Sequence, residues 1–129
     1  MNINNPGTIA EEKTAVYLRK KGYYIAKRNF HSRYGEIDVI AENEDTVLFV
    51  EVKLRTQDSL VSGLEAVDKF KRERIIKTAM DYIKKSHCEL QPRFDVAEII
   101  VFLKSDGSYG YKMNYIGNAF SLGDYNGLF

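Results

Sequence analysis

Cysteine is almost absent from this chain. Cys88 stands alone, so no internal disulfide can form and stability must come from a hydrophobic core. Nothing marks an oxidising compartment, and the cytoplasm is the expected location. Long apolar runs are missing as well: the longest, IIVFL at 99–103, is far too short to cross a bilayer. The opening MNINNPGTIAEEK lacks the basic-then-apolar order of a signal peptide, so no membrane partner is expected. His31, His87 and Cys88 have no zinc-ligand spacing, which leaves them without an expected catalytic role. Gly107 and Gly110 belong to a turn rather than to a GxxxxGK[ST] phosphate cradle, and ATP use is not indicated. Repeats and low-complexity tracts do not occur.

What remains is an ordinary globular composition, 44% hydrophobic and 29% charged over 129 residues. That length suits a single domain with one core. Net charge is only +1, so bulk charge gives little support for a nucleic-acid partner; its distribution says more. Between Lys13 and Arg33 lie seven Lys/Arg and no acid, between Glu36 and Glu51 six acids and no base, and residues 53–85 carry nine bases against five acids. An acidic centre lies between basic flanks.

Residues 8–21 are expected to form a helix, with Thr8 as N-cap, Glu11 completing a capping box and Gly22 following the last turn. Strands are expected at 23–30, 35–42, 46–53, 93–103 and 109–116, with Asn43, Glu44 and Asp45 turning the second into the third. A helix is expected over 64–85, burying Ala66, Phe70, Ile75, Ala79 and Ile83. Residues 121–129 are expected to form a tail beyond an ordered core of about 7–120. The order α-β-β-β-α-β-β predicts an α/β domain, a mixed sheet flanked by helices.

Acids on sheet-forming strands need a reason. Strand alternation puts Val47, Phe49, Glu51 and Lys53 on one face and Leu48, Val50 and Val52 on the other, and groups Glu36 and Asp38 with Ile40. A two- or four-residue turn sets Glu36 opposite Glu51 and Asp38 opposite Phe49, diagonal to Glu51. A three-residue turn sets Asp38 across from Val50 and sends Glu51 to the far side unless a bulge intervenes. Converging carboxylates repel unless one is protonated or a cation lies between them. Mg²⁺, which takes one or two protein carboxylates and is completed by waters and phosphate oxygens, suits such a pair. A lysine beside them can stabilise developing phosphorane charge or assist a metal-bound water. An exposed hairpin with cross-strand charges remains the plain alternative.

Asp38, twelve intervening residues, then Glu51-Val52-Lys53 resembles the D-x(n)-E-x-K arrangement of the PD-(D/E)xK nucleases, with Ile37 where that superfamily nominally has proline. Gly7 and Glu11, YLRKKGY at 17–23, Arg28-Asn29, GEID at 35–38, FVEVK followed by Arg55, Lys69, RFDV at 93–96 and NAF at 118–120 together resemble the UPF0102 (YraN) family. The resemblance implies a restriction-endonuclease-like, Holliday-junction-resolvase-like fold and a Mg²⁺- or Mn²⁺-dependent endonuclease acting on DNA, with branched or structured DNA as the candidate substrate by fold analogy. It implies that Asp38, Glu51 and the carbonyl of Val52 hold the metal, that Glu11 joins them, and that Lys53 is the catalytic lysine. Glu36 is a candidate second-sphere group or alternative ligand. Arg28, Arg33, Arg55 and Lys69 are candidate phosphate contacts. A homodimer is expected by the same analogy. The rival expectation is a nucleic-acid-binding module on this fold that is inactive or works only with a partner; a metal-stabilised interaction domain is a third.

Overall fold

The structure, a computed structural model, describes residues 5–57 and 68–121. Its elements follow the expected order: α1 (Pro6–Lys20), β1 (Tyr24–Ser32), β2 (Gly35–Glu42), β3 (Thr46–Thr56), α2 (Lys69–Ser86), β4 (Gln91–Leu103) and β5 (Tyr109–Phe120). The five strands lie side by side in chain order. Each neighbouring pair is antiparallel except β3–β4, which is parallel and is bridged by the crossover containing α2.

Helix α1 starts earlier than Thr8. Its N-cap is Asn5, whose side chain accepts from the N–H groups of Gly7 and Thr8, and Pro6 occupies the first helical position. The expected Thr8–Glu11 capping box is therefore not formed. Helix α2 is capped by Asp68, which accepts from the Lys71 N–H, and ends at His87 in the left-handed conformation. Residues 64–67 of the expected helix lie outside the described residues.

Each helix seals one face of the sheet. Leu18 of α1 packs with Val39, Ala41, Leu48, Val50 and Ala97, and Val52 lies partly buried against that group. On the other face Ile75, Ile76, Ala79 and Tyr82 of α2 pack with Ile40, Val47, Phe49, Phe94 and Val96. The alternation read from β3 is thus correct. Phe49, Phe94 and Phe120 stack in sequence at centroid separations of 5.5 and 5.2 Å, and Tyr82 meets Phe49 edge-on. Phe70 is not part of this core: at 75% exposure it lies outside the stripe assigned to it. The stripe is phased instead on Ile75, Ile76, Ala79 and Tyr82.

The β2–β3 hairpin sets the level of the acids. Asn43 N–H bonds to the Thr46 carbonyl, and the Asn43 side chain accepts from Asp45 and Thr46, so Glu44–Asp45 form a two-residue turn. Ile40 then pairs with Phe49 and Val39 with Val50. The expected pairing of Asp38 with Phe49 is two residues out of step. Parity survives the shift, so the β3 faces are unchanged, and one further step of this register brings Asp38 level with Glu51 itself.

Truncation in the aromatic stack tests the core. Phe94→Ala, at a position 2% exposed, is expected to destabilise the fold by about 3–5 kcal/mol, measured by urea unfolding. A loss below about 1 kcal/mol would mean that the stack is not packed as described.

Candidate metal and phosphate site

Regular alternation breaks at Asp38. Ile37 and Ile40 both pack on the α2 side, whereas Val39 and Ala41 pack towards α1. On the neighbouring strand Asn29 adopts a left-handed conformation at φ +52°, and the ladder pairs Arg28 with Val39 and Phe30 with Ile37 without a 29–38 pair. Asparagine tolerates that conformation better than most residues. At this interruption the Asp38 carboxylate turns to β3, and its Oδ2 accepts from the Val52 N–H at 2.8 Å. The grouping of Glu36 and Asp38 with Ile40 by simple alternation is therefore replaced by a kinked strand.

Asp38 and Glu51 line one cavity of about 180 Å³, together with Tyr34, Gly35, Glu36, Lys71, Arg74 and Ile75. Glu51 is buried at 7% exposure. Its Oε1 lies 2.8 Å from Lys71 Nζ and 3.6 Å from Lys53 Nζ. Burial first, and the Glu51 charge second, push the Asp38 carboxyl from 3.8 up to about 7; the Val52 N–H opposes the shift, and Glu11 and Glu36 add to it. The two lysines diverge. Burial and the neighbouring Lys71 lower the Lys53 pKa, while Glu51 opposes this. Burial is the largest influence on Lys71 and works against its charge, yet the hydrogen bonds to Glu51 and Lys53 and the charges of Glu51 and Asp38 together outweigh it and hold its pKa above the ordinary value.

The other expected site residues are placed less uniformly. Glu11 sits on the inner side of α1 as its neighbours Thr14, Ala15 and Leu18 predict. Its Oε1 accepts from Asn29 Nδ2 at 3.3 Å, lies 3.9 Å from Arg28, and lines an open groove of about 790 Å³ between α1 and β1. That groove is larger than the cavity but lacks Asp38 and Glu51, so the chemistry is read from the smaller one. Glu11 contributes to the field on Asp38. Among the described residues, no three His, Cys, Asp or Glu side chains are grouped to hold an ion. Glu36 faces His31, with Nε2 and Oε2 3.4 Å apart.

Of the four expected phosphate contacts, Arg28 bonds Glu12 at 2.8 Å and Arg55 pairs at 2.9 Å with Glu98, a carboxylate 1% exposed on β4. Arg33 bonds the Tyr34 hydroxyl and stacks over its ring at 4.9 Å, with Lys77 5.4 Å from the same ring. Lys69 is exposed on α2. The lysine that enters the cavity is Lys71. It lies one helical turn before Ile75, so phasing the stripe on Ile75 and Ala79 rather than on Phe70 would have pointed to it. Arg74 joins it in the cavity wall.

These placements predict opposite effects for the two acids. Asp38 holds its proton to higher pH in the folded chain than in the unfolded one, so folding takes up a proton and stability falls as pH rises from about 4 to about 7. Asp38→Asn should abolish that slope and raise the urea midpoint above neutrality. Glu51→Gln removes the counter-ion of two ammonium groups and should cost ~1–3 kcal/mol. Equal shifts of the same sign in both variants would contradict the assigned environments.

The family model described as "Uncharacterised protein family UPF0102" matches residues 10–99, a span that holds Glu11, Asp38, Glu51, Lys53 and Lys71. The UPF0102 protein TTE1452 of Caldanaerobacter subterraneus is 42% identical over 121 residues, covering 93% of this chain and 98% of its own length. The UPF0102 protein CA_C1763 of Clostridium acetobutylicum is 41% identical over 117 residues, covering 90% and 93%. A UPF0102 protein of Syntrophomonas wolfei is 44% identical over 120 residues, covering 88% and 96%. With the family model spanning Asp38, Glu51 and both lysines that contact Glu51, and with relatives matched along nearly their whole lengths, the chain belongs to the UPF0102 family.

Proposed function

We propose that the protein is a metal-dependent endonuclease of the PD-(D/E)xK type that hydrolyses phosphodiester bonds in DNA. The observation that carries this reading is the meeting of Asp38 and Glu51 in one cavity with the Lys53 ammonium beside them. Hard carboxylate oxygens suit Mg²⁺ or Mn²⁺, and a divalent cation would relieve the repulsion from Glu51 that, after burial, pushes Asp38 towards its protonated form. Asp38 and Glu51 would hold it, with the Val52 carbonyl as a further donor implied by the family resemblance. When bound, such a cation supplies Lewis-acid polarisation of the phosphoryl oxygen and a more acidic water.

The chain's own groups divide the remaining work. Lys53, with its pKa lowered by burial and by Lys71, is the group suited to exchange a proton near the attacked phosphorus. Val52 fixes the Asp38 carboxylate through its N–H. Arg74 in the cavity wall, and Arg33 and Lys77 around Tyr34, offer positive charge to the flanking backbone phosphates. A preference for branched or structured DNA rests on fold analogy alone. One observation favours the rival binding module: both ammonium groups already engage Glu51, so metal must compete for it.

Single-stranded, duplex and branched DNA incubated with and without Mn²⁺ separates the two readings. Wild type is expected to cut only with metal, and Lys53→Ala to cut at least roughly a hundredfold more slowly. Retention of DNA without cutting under every condition would sink the nuclease reading in favour of the binding module.

A further inference from the structure

We infer that Lys71 is the exchangeable counter-ion of Glu51: its ammonium leaves that carboxylate when a divalent cation enters and then meets the phosphate of the bound nucleic acid. The inference rests on the metal-dependent reading above and adds a residue and a sequence of events to it.

Three observations support it. First, Lys71 Nζ is the closer of the two ammonium groups to Glu51, 2.8 Å against 3.6 Å, and both address the same oxygen, Oε1. Two cations on one carboxylate oxygen repel each other, so one of them is held weakly relative to its partner's absence. Secondly, the two lysines differ in freedom. Lys53 projects from a strand position whose backbone is paired with Glu98 of β4, its side chain 24% exposed, whereas Lys71 reaches in from the first turn of α2 with its side chain 31% exposed. A long side chain at a helix start can swing its head outward while its stem stays packed. Thirdly, the cavity it enters is lined by a second cation, Arg74, one turn along α2, as well as by Glu36, Asp38 and Glu51. With divalent charge on the acids, an ammonium displaced towards Arg74 is left for an incoming anion to compensate.

The device couples two binding events. In the metal-free protein Lys71 keeps the buried Glu51 carboxylate neutralised, which prevents a cluster of acids from repelling a polyanion. Metal entry releases a positive charge towards the substrate beside Lys53. Linkage makes the relation reciprocal: what competes with Lys71 for Glu51 favours the phosphate-bound position of Lys71, and a bound phosphate favours metal uptake.

Lys71→Met keeps most of the stem and removes the charge. Mn²⁺ titration of the intact chain by calorimetry is expected to show roughly tenfold tighter binding for this variant than for wild type. With Ca²⁺ present, retention of a labelled DNA duplex and of a single strand is expected to weaken several-fold. A lysine with only a structural role would not move the two readouts in opposite directions. Unchanged or weaker Mn²⁺ binding, or unchanged DNA retention, overturns the role given to Lys71 while leaving the Asp38–Glu51 site standing. Absence of Mn²⁺ uptake by both wild type and variant removes the metal reading itself and this inference with it. Lys71→Gln, read in the same way, decides the matter if Lys71→Met does not fold.

Discussion

A carboxylate sealed within a protein needs a positive partner, and for Glu51 that need is met from two directions, by its own strand and by the helix of the crossover. The site therefore depends on α2 being held against β3. Apolar contact does this: Ile75, one turn from Lys71, packs with Ile76 in the same core as Ile40 and Phe49. The core and the site are built from alternate positions of the same two elements. Phe49 is two residues before Glu51 on one strand face, and Ile75 is one turn after Lys71 on the helix.

Other buried acids are treated differently. Asp95 accepts from Arg93 in a two-point pair, from the Tyr115 hydroxyl and from the Asn118 N–H, tying the start of β4 to the end of β5. Glu42 accepts from the hydroxyls of Tyr24 and Tyr82, joining β1, β2 and α2. Glu98 pairs with Arg55 and accepts from Asn114. These carboxylates are surrounded by donors and act as fasteners. Asp38 is set apart by sharing a cavity with a second acid, an arrangement that costs stability.

Much of this was legible in the residues. Strict alternation from Val47 to Lys53 revealed both faces of β3, because β2 and β4 flank that strand and each helix covers one side. β2 was harder, since a left-handed Asn29 on the adjacent strand interrupts its pleat and no composition signal announces such a kink. The hairpin register escaped by two residues because Asn43, a natural turn residue, serves as a ladder-closing position and leaves only Glu44–Asp45 in the turn. Thr8 masked the Asn5–Pro6 start of α1, although proline at a first helical position is itself a start signal. Lys71 was obscured by Phe70: a large apolar residue invites assignment to the core, and doing so rotates the helix away from Lys71. Arg28 and Arg55 look like free cations in the sequence because their acidic partners, Glu12 and Glu98, are distant along the chain.

The left-handed asparagines have a bearing beyond the site. Asn29 lies on β1 and Asn118 on β5, the two outermost strands, and each of these strands also carries a register shift against its neighbour. An outer strand so interrupted cannot present an unbroken row of amide and carbonyl groups to another chain. Open-ended stacking of sheets into fibres is thereby discouraged at both margins, and any pairing of two copies is steered away from a shared ten-stranded ribbon towards contact through side chains.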